Sequence, residues 1–323
     1  MSKAIRIHAH GGPEVLKWEQ VPTPQPGPNE ALVQHEAVGL NFIDVYFRSG
    51  LYKTSLPATL GMEGAGVVLA VGEKVHGIVA GDRVAYAGGP LGAYATERVI
   101  NADKLVKLPE DIDFKTAAAM MLQGLTAYYL LHRTFKVQPG QTILLHAAAG
   151  GVGLIMCQWA RHLGAETIGV VSSEAKAAVA KANGATHTIV GHANLAAEVK
   201  QITGGAMVPV VYDSIGKDTF NASLDCLAPL GLMVSFGNAS GPVPPVDLGT
   251  LNAKGSLFIT RPGLATYMAT QHDISTGAEA LFEVVRSGAV KIMVNQTFPL
   301  EQAAAAQTAL ETRQTTGSTV LIP

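Results

Sequence analysis

The stretch that decides the fold is Thr142-Ile143-Leu144-Leu145-His146-Ala147-Ala148-Ala149-Gly150-Gly151-Val152-Gly153. A short β-prone run leads into small residues, and the apolar positions from Leu154 to Leu163 then follow a helical pattern. Gly164 sits where a helix C-cap glycine belongs. Small residues at Ala147, Gly150 and Gly153 keep the three-residue spacing of a shifted dinucleotide fingerprint. Glycine lets backbone N–H groups approach a pyrophosphate, and a helix N-terminus adds positive potential. Taken alone, the same residues also suit a tight turn that needs only small side chains.

The surroundings favour the first reading. A second strand, Thr167 to Val171, is followed by Ser173, which caps a helix running through Ala182 and ended by Gly184. Further β-α pairs follow: His187 to Val190 with Leu195 to Ile202, Val208 to Asp213 with Phe220 to Leu227, and then Leu232 to Phe236. Strands separated by helices of this length imply an α/β fold with a doubly wound parallel Rossmann sheet. Up to about residue 125 the chain reads instead as irregular and β-rich, after an extended lead-in carrying Pro22, Pro24, Pro26 and Pro28. Beyond 263 it is mixed, with helical patterns at Ala278 to Ser287 and Leu300 to Thr312 and a last strand at Thr319 to Ile322. The expected layout is a Rossmann domain, 126–263, inserted between two pieces, 1–125 and 264–323, of a β-rich domain.

Composition agrees with two domains in 323 residues. Lys and Arg number 23 against 25 Asp and Glu, for a net charge of −2, which argues against a polybasic nucleic-acid or membrane-surface binder. Two cysteines, Cys157 and Cys226, cannot build a disulfide framework or a four-thiolate zinc lobe. Both fall in helical apolar patterns and read as core filler. The ten histidines read as mostly surface or loop residues. With no secretory leader and no apolar run of the ~18 residues a membrane span needs, a cytoplasmic protein is expected.

About twenty residues past the glycine turn, an NAD site places Asp or Glu for the ribose 2′-hydroxyl. Here that position reads Val170-Val171-Ser172-Ser173. Without a carboxylate the repulsion against a 2′-phosphate is gone, and Lys176 can supply the countercharge, although a solvated helix lysine is the plainer reading of any lone lysine. The pattern favours NADPH over NADH.

The run Gly61-Met62-Glu63-Gly64-Ala65-Gly66-Val67-Val68 resembles the medium-chain dehydrogenase/reductase superfamily. Its zinc alcohol dehydrogenases carry a ligating His where this chain has Met62 and a ligating Cys where it has Asn41. From Met120 to Thr126 there is no Cys, His or carboxylate for a third ligand. A thioether and a carboxamide cannot replace imidazole and thiolate at a catalytic zinc, so no metal is expected. The remainder is similar to the zinc-free, ζ-crystallin-like quinone oxidoreductases, above all the bacterial ones. The likeness is carried by His10-Gly11-Gly12-Pro13-Glu14-Val15-Leu16, Asn41-Phe42-Ile43-Asp44, Ala80-Gly81-Asp82-Arg83-Val84, Val234-Ser235-Phe236-Gly237-Asn238, Thr260-Arg261-Pro262 and Leu321-Ile322-Pro323.

That resemblance implies a GroES-like β-rich catalytic domain around the Rossmann domain, with NADPH in the cleft between them. It places Asn41 beside the nicotinamide and Thr126 against the cofactor. Gly150, Gly151 and Val152 would face the pyrophosphate, and Ser172 and Lys176 the 2′-phosphate. Phe236, Gly237 and Asn238 would line the nicotinamide half, with Arg313 near the cofactor. Tyr46 and Tyr52 would shape the substrate cleft and assist protonation. Relatives often carry a Tyr after strand three that packs on the adenosine; here Gly191 and His192 follow Val190. Asp44 reads as a turn-capping carboxylate. The implied reaction is metal-free hydride transfer from nicotinamide C4 to a small quinone. Reduction of an activated C=C bond is the alternative, and a structural or RNA-binding ζ-crystallin-like protein the alternative of another class. A homodimer through the sheet edge around Leu257-Phe258-Ile259 is implied as well, with no nucleic-acid or membrane partner.

Overall fold

A computed structural model of the chain describes residues 1–323, which fall into two compact units. The first comprises Met1–Leu125, Met268–Phe282 and Ile292–Pro323, the second Thr126–Tyr267 and Glu283–Lys291. The sequence reading closes the inserted segment at 263 and does not return to it. The structure carries the second unit on to Tyr267 and brings 283–291 back to it, where the Gln158 carboxamide bonds both the carbonyl and the N–H of Lys291.

The second unit is built on six parallel strands in the order His187–Val190, Glu166–Val171, Thr142–His146, Val208–Asp213, Leu227–Ser235, Phe258–Thr260. Chain order reverses beside Thr142–His146, the position where open α/β sheets bind ligands at the carboxyl ends of their strands. Leu144, Ile168, Val170, Ile189 and Val211 from the sheet pack with Leu195, Val199, Phe220 and Leu224 from helices Leu195–Ile202 and Phe220–Leu224. Such strands read as near-continuous apolar runs because they are covered on both faces. Gly191 follows the edge strand His187–Val190 with φ +82°, so the turn itself calls for glycine there.

The first unit holds a seven-stranded, largely antiparallel sheet centred on Glu30–Leu40, whose neighbours include Glu63–Val71, Glu97–Asn101 and Ser318–Ile322. A smaller sheet orders Lys17–Val21, Ser2–Ile7 and Ala58–Thr59. The apolar core beneath includes Ile5, Ile7, Val33, Leu60, Tyr86, Ile100 and Leu321.

Two helices interrupt the stretch that reads as irregular and β-rich. Phe42–Ser49 starts at Asn41 and stops at Gly50, which adopts φ +82°. Phe114–Tyr129 is apolar on nearly every side, from Ala117, Ala118 and Ala119 to Met120 and Met121. A helix buried all round has no polar face, so the periodicity that reveals amphipathic helices is missing. Near the C-terminus, helix Gln271–Arg286 begins before the Ala278 expected from sequence, and Val294–Pro299 adds an unexpected strand pairing with Ser318–Ile322. Arg48, 2% exposed, ties helix Phe42–Ser49 to helix Ala303–Glu311 through two bonds to Glu311 and one to Gln307. Both cysteines are buried and unpaired. No helix is long and apolar enough to cross a membrane.

Candidate active site

Each unit carries one constellation of the residues singled out above. In the second unit, strand Thr142–His146 runs into a turn where Ala147 takes φ +53°, and Gly150 then begins helix Gly151–His162. No side chain caps that helix. Leu154 N–H bonds Gly150 O at 2.8 Å, so the helix's own hydrogen bonding starts there. The N–H groups of Gly151, Val152 and Gly153 belong to the first turn, which has no intrahelical acceptor. A Cβ on Gly153 would lie 2.3 Å from Ala147 O, so this position excludes any side chain; at Gly150 the nearest neighbour is that oxygen at 3.3 Å. An uncapped helix start with its small residues half-exposed fits a pyrophosphate, and a twelve-residue helix lends it a full macrodipole.

The neighbouring strand Glu166–Val171 is tied to this turn by Ala148 N–H to Val170 O at 3.2 Å. Beyond its end lies exposed Ser172, and Ser173 caps helix Glu174–Ala182 by accepting from Lys176 N–H at 3.4 Å. Ser172 and Lys176 therefore flank this cap at the end of the strand next to the glycine turn, with no carboxylate ending that strand. This donor set suits a phosphorylated ribose.

Phe236, Gly237 and Asn238 follow the strand Leu227–Ser235. Sequence reasoning named these three but assigned no role to Arg261, which holds them in place. Its Nη1 donates to Ser235 O at 2.8 Å and to Gly237 O at 2.9 Å, and Nη2 donates to the Asn238 carboxamide oxygen at 3.1 Å. The available signal was Thr260-Arg261-Pro262, a charged residue directly after a strand. Thr126 is buried and bonds Tyr129, whose ring stacks on Tyr267 at 4.5 Å.

His146, at the end of the first strand of this unit, is buried rather than superficial. Its Nε2 lies 2.9 Å from Ser223 Oγ, which donates to Asp213 Oδ2 at 2.8 Å. Asp213 also accepts from Thr219 Oγ1 and from the N–H groups of Ile215 and Gly216. The serine stands between acid and imidazole, the wrong order for a nucleophile activated by a base. Burial holds His146 below the usual histidine range, so the cluster pins strand ends.

In the first unit Asn41 is 5% exposed and sits at the start of helix Phe42–Ser49. Its backbone N–H donates to Asp44 Oδ2 at 2.9 Å, which also accepts from Tyr94 OH at 2.9 Å. Asn41 Nδ2 donates to Glu63 Oε2 at 2.6 Å, and Gln123 Nε2 donates to Asn41 Oδ1 at 3.2 Å. Glu63 Oε1 accepts the Leu122 N–H at 2.7 Å. Burial pushes the Glu63 carboxyl up to about 8 against the bonds from Asn41 and Leu122, and Asp44 up to about 7 against the bonds from Asn41 and Tyr94. The capping role read for Asp44 is the one it plays. Glu63 and Gln123 went unassigned in the sequence, and the signal was an acid inside the strand Glu63–Val71, otherwise made of Gly, Ala, Val and Leu.

Tyr46 is buried between Phe42 and Tyr52, with ring centroids 5.5 and 5.1 Å away. Tyr52 N–H bonds Tyr46 O at 3.0 Å, so the two tyrosines form one patch beside the helix that Asn41 begins. Arg313 lies in an exposed turn with φ +60° after helix Ala303–Glu311. No group of three or more His, Cys, Asp or Glu side chains is arranged to hold a metal ion.

Comparison with known proteins fits this geometry. Residues 27–110 match the alcohol dehydrogenase GroES-like domain, and 151–283 match the zinc-binding dehydrogenase family. A quinone oxidoreductase of Pseudomonas aeruginosa is 54% identical over the whole of both chains. The crystal structure of Escherichia coli quinone oxidoreductase complexed with NADPH superimposes with a TM-score of 0.98 at 50% identity, covering 99% of this chain and 100% of that one. A 2-haloacrylate reductase of a Burkholderia species is 47% identical over 100% of this chain and 99% of its own.

The raised carboxyls give stability a pH dependence. Asp44 and Glu63 keep their protons in the folded chain where the unfolded chain has lost them, so their contribution is complete below the unfolded values. It is lost as pH rises through about 7 and then about 8. The thermal unfolding midpoint, read by circular dichroism, is expected to fall between about pH 4 and about pH 8 and to level off above that. A midpoint that stays flat or rises over that window would contradict the assignment.

Proposed function

The chain belongs to the quinone oxidoreductases of the medium-chain dehydrogenase/reductase superfamily, and from that membership we propose that it is an NADPH-dependent reductase of small quinones that works without a metal. The observation that carries the cofactor half is the uncapped start of helix Gly151–His162 beside a strand end that bears Ser172 and Lys176 instead of a carboxylate. The metal-free half rests on Asn41 and Met62, whose carboxamide and thioether stand where zinc enzymes of the superfamily need thiolate and imidazole.

When bound, NADPH supplies a hydride from nicotinamide C4. Everything else falls to the chain. The Gly151 and Val152 N–H groups hold the pyrophosphate, the Gly150 N–H being taken by Ala147 O, and Ser172 with Lys176 holds the 2′-phosphate. Arg261 fixes the backbone at Ser235 and Gly237, so that Phe236, Gly237 and Asn238 keep one shape against the nicotinamide half. Thr126 and Arg313 add cofactor contacts. Asn41, locked by Glu63 and Gln123, orients the nicotinamide, and Tyr46 with Tyr52 receives the quinone. Reduced quinone oxygens take protons from water or from a tyrosine hydroxyl, so no dedicated acid is required.

The 47% identity to a 2-haloacrylate reductase favours a second reading, reduction of an activated C=C bond with the same hydride. That reaction needs a proton donor at the opposite carbon, and Tyr46 or Tyr52 would provide it. Exposed Phe258 on the edge strand Phe258–Thr260, 60% accessible, supports a homodimer that continues the sheet across two copies. The charge balance supports neither a nucleic-acid nor a membrane partner, and two unpaired buried cysteines accord with the cytoplasm.

The decisive assay is NADPH consumption with a simple benzoquinone after chelator treatment, run beside NADH. Turnover is expected to survive the chelator. Lys176→Ala is expected to raise KM for NADPH by about tenfold or more and to leave the NADH rate nearly unchanged. Loss of activity with the chelator, or equal losses with both cofactors, would overturn these assignments. On an acrylate substrate, Tyr46→Phe or Tyr52→Phe is expected to abolish turnover if the second reading holds, while quinone reduction persists; an unaffected acrylate rate would count against a tyrosine donor.

A further inference from the structure

Four side chains of the first unit form an unbroken line. The Glu63 carboxyl meets the Asn41 carboxamide at 2.6 Å, Asn41 meets the Gln123 carboxamide at 3.2 Å, and Gln123 meets the Ser318 hydroxyl at 2.7 Å. Ser318 Oγ also lies 2.9 Å from the Ala119 carbonyl. A hydroxyl has one hydrogen, so it serves Gln123 or Ala119 but never both at once. All four side chains are buried, and the line has to be satisfied from within.

Two complete bonding patterns exist. With Glu63 ionised, Glu63 accepts from Asn41, Asn41 accepts from Gln123, and Gln123 accepts from Ser318. With Glu63 protonated, its hydroxyl donates to the Asn41 oxygen and both carboxamides turn over. Asn41 then donates to Gln123, Gln123 donates to Ser318, and Ser318 donates to Ala119 O. Carboxamide oxygen and nitrogen are nearly equal in size, so the turnover leaves the heavy-atom outline unchanged. Leu122 N–H keeps Glu63 Oε1 as its acceptor in both patterns. Any mixed pattern sets two donors or two acceptors face to face inside a dry core, which is costly.

We propose that Glu63 is a positioning residue whose proton, through Asn41, Gln123 and Ser318, sets which end of the Asn41 carboxamide is offered to the bound cofactor. This rests on the reading that Asn41 contacts that cofactor. The charged and titratable neighbours leave Glu63 as the group that switches. Helix Phe114–Tyr129 contributes the Leu122 and Met121 N–H groups. Asp44, from the helix begun by Asn41, disfavours the Glu63 anion. On the adjoining strand, Tyr86 bonds His35 and lies under the Arg98 guanidinium, and burial keeps His35 neutral by lowering it to about 4. Burial likewise raises Glu63 to about 8, so both patterns are populated just above neutral pH.

The test starts with the cofactor-free protein. The Asn41 side-chain amide resonances, identified by their loss in Asn41→Ala, are followed by ¹⁵N NMR while pH is raised. They are expected to move in one step centred near 8, the Glu63 value. NADPH affinity, read by fluorescence, is expected to change by about tenfold across the same step, the worth of one hydrogen bond. Glu63→Gln keeps an oxygen for Leu122 N–H and presents a permanent donor to Asn41, so both steps are expected to vanish. Asn41 resonances that stay still in the unaltered protein overturn the proposal even where the variant fails to fold, and so does a Glu63→Gln protein that retains the affinity step. If the resonances move but Asn41→Ala binds NADPH undiminished, the fault lies in the cofactor contact given to Asn41, and the proposal falls for that separate reason.

Discussion

A carboxyl group shut away from water must find its hydrogen bonds within the protein, and in the first unit Glu63 imposes that condition on everything near it. One oxygen takes the Leu122 N–H of helix Phe114–Tyr129; the other takes Asn41, which begins helix Phe42–Ser49. Gly39, on the sheet's central strand, is glycine because a Cβ there would lie 2.2 Å from Glu63 Oε2 and 2.3 Å from Ala118 O. Two strands and two helices are thus registered to one side chain. Hydrogen bonds gather this region, and a buried donor or acceptor left without its partner there is costly.

The second unit depends on a different constraint, the close approach of backbone to backbone at the glycine turn. Gly153 admits no Cβ against Ala147 O, and Gly169 on the adjacent strand would place a Cβ 2.7 Å from that of Ala148. These close contacts fix where helix Gly151–His162 starts against the sheet. The Asp213 cluster, drawing in His146, Thr219 and Ser223, ties the ends of two neighbouring strands at the same edge. The start of helix Gly151–His162 is therefore held by the chain's own backbone contacts.

The Rossmann strands and helices were legible because a parallel sheet uses continuous apolar runs punctuated by glycine, a local and repetitive pattern. His187–Val190, Leu195–Ile202 and Val208–Asp213 have the bounds the residues suggest. The helices Phe42–Ser49 and Phe114–Tyr129 were illegible, one being short and begun by an asparagine, the other apolar all round. Among the residues picked out from the sequence, the turn glycines stood out by spacing, and Lys176 by its place after a strand end without a carboxylate. Arg261, Gln123 and Ser318 did not, since each acts on a residue far away in sequence, and a lone Arg, Gln or Ser carries no periodic signal.

The sequence by itself determined the parallel sheet, the glycine turn, a strand end without a carboxylate, and Asn and Met at positions 41 and 62. All of these depend on residue type at fixed spacing. Tertiary structure alone decided that Asn41 is held by Glu63 and Gln123, that Arg261 shapes the 235–238 backbone, and that two acids in the first unit keep their protons near neutral pH. Hydrogen-bond partners and desolvation depend on which distant segments meet and whether water is excluded there, and chain order does not contain that information.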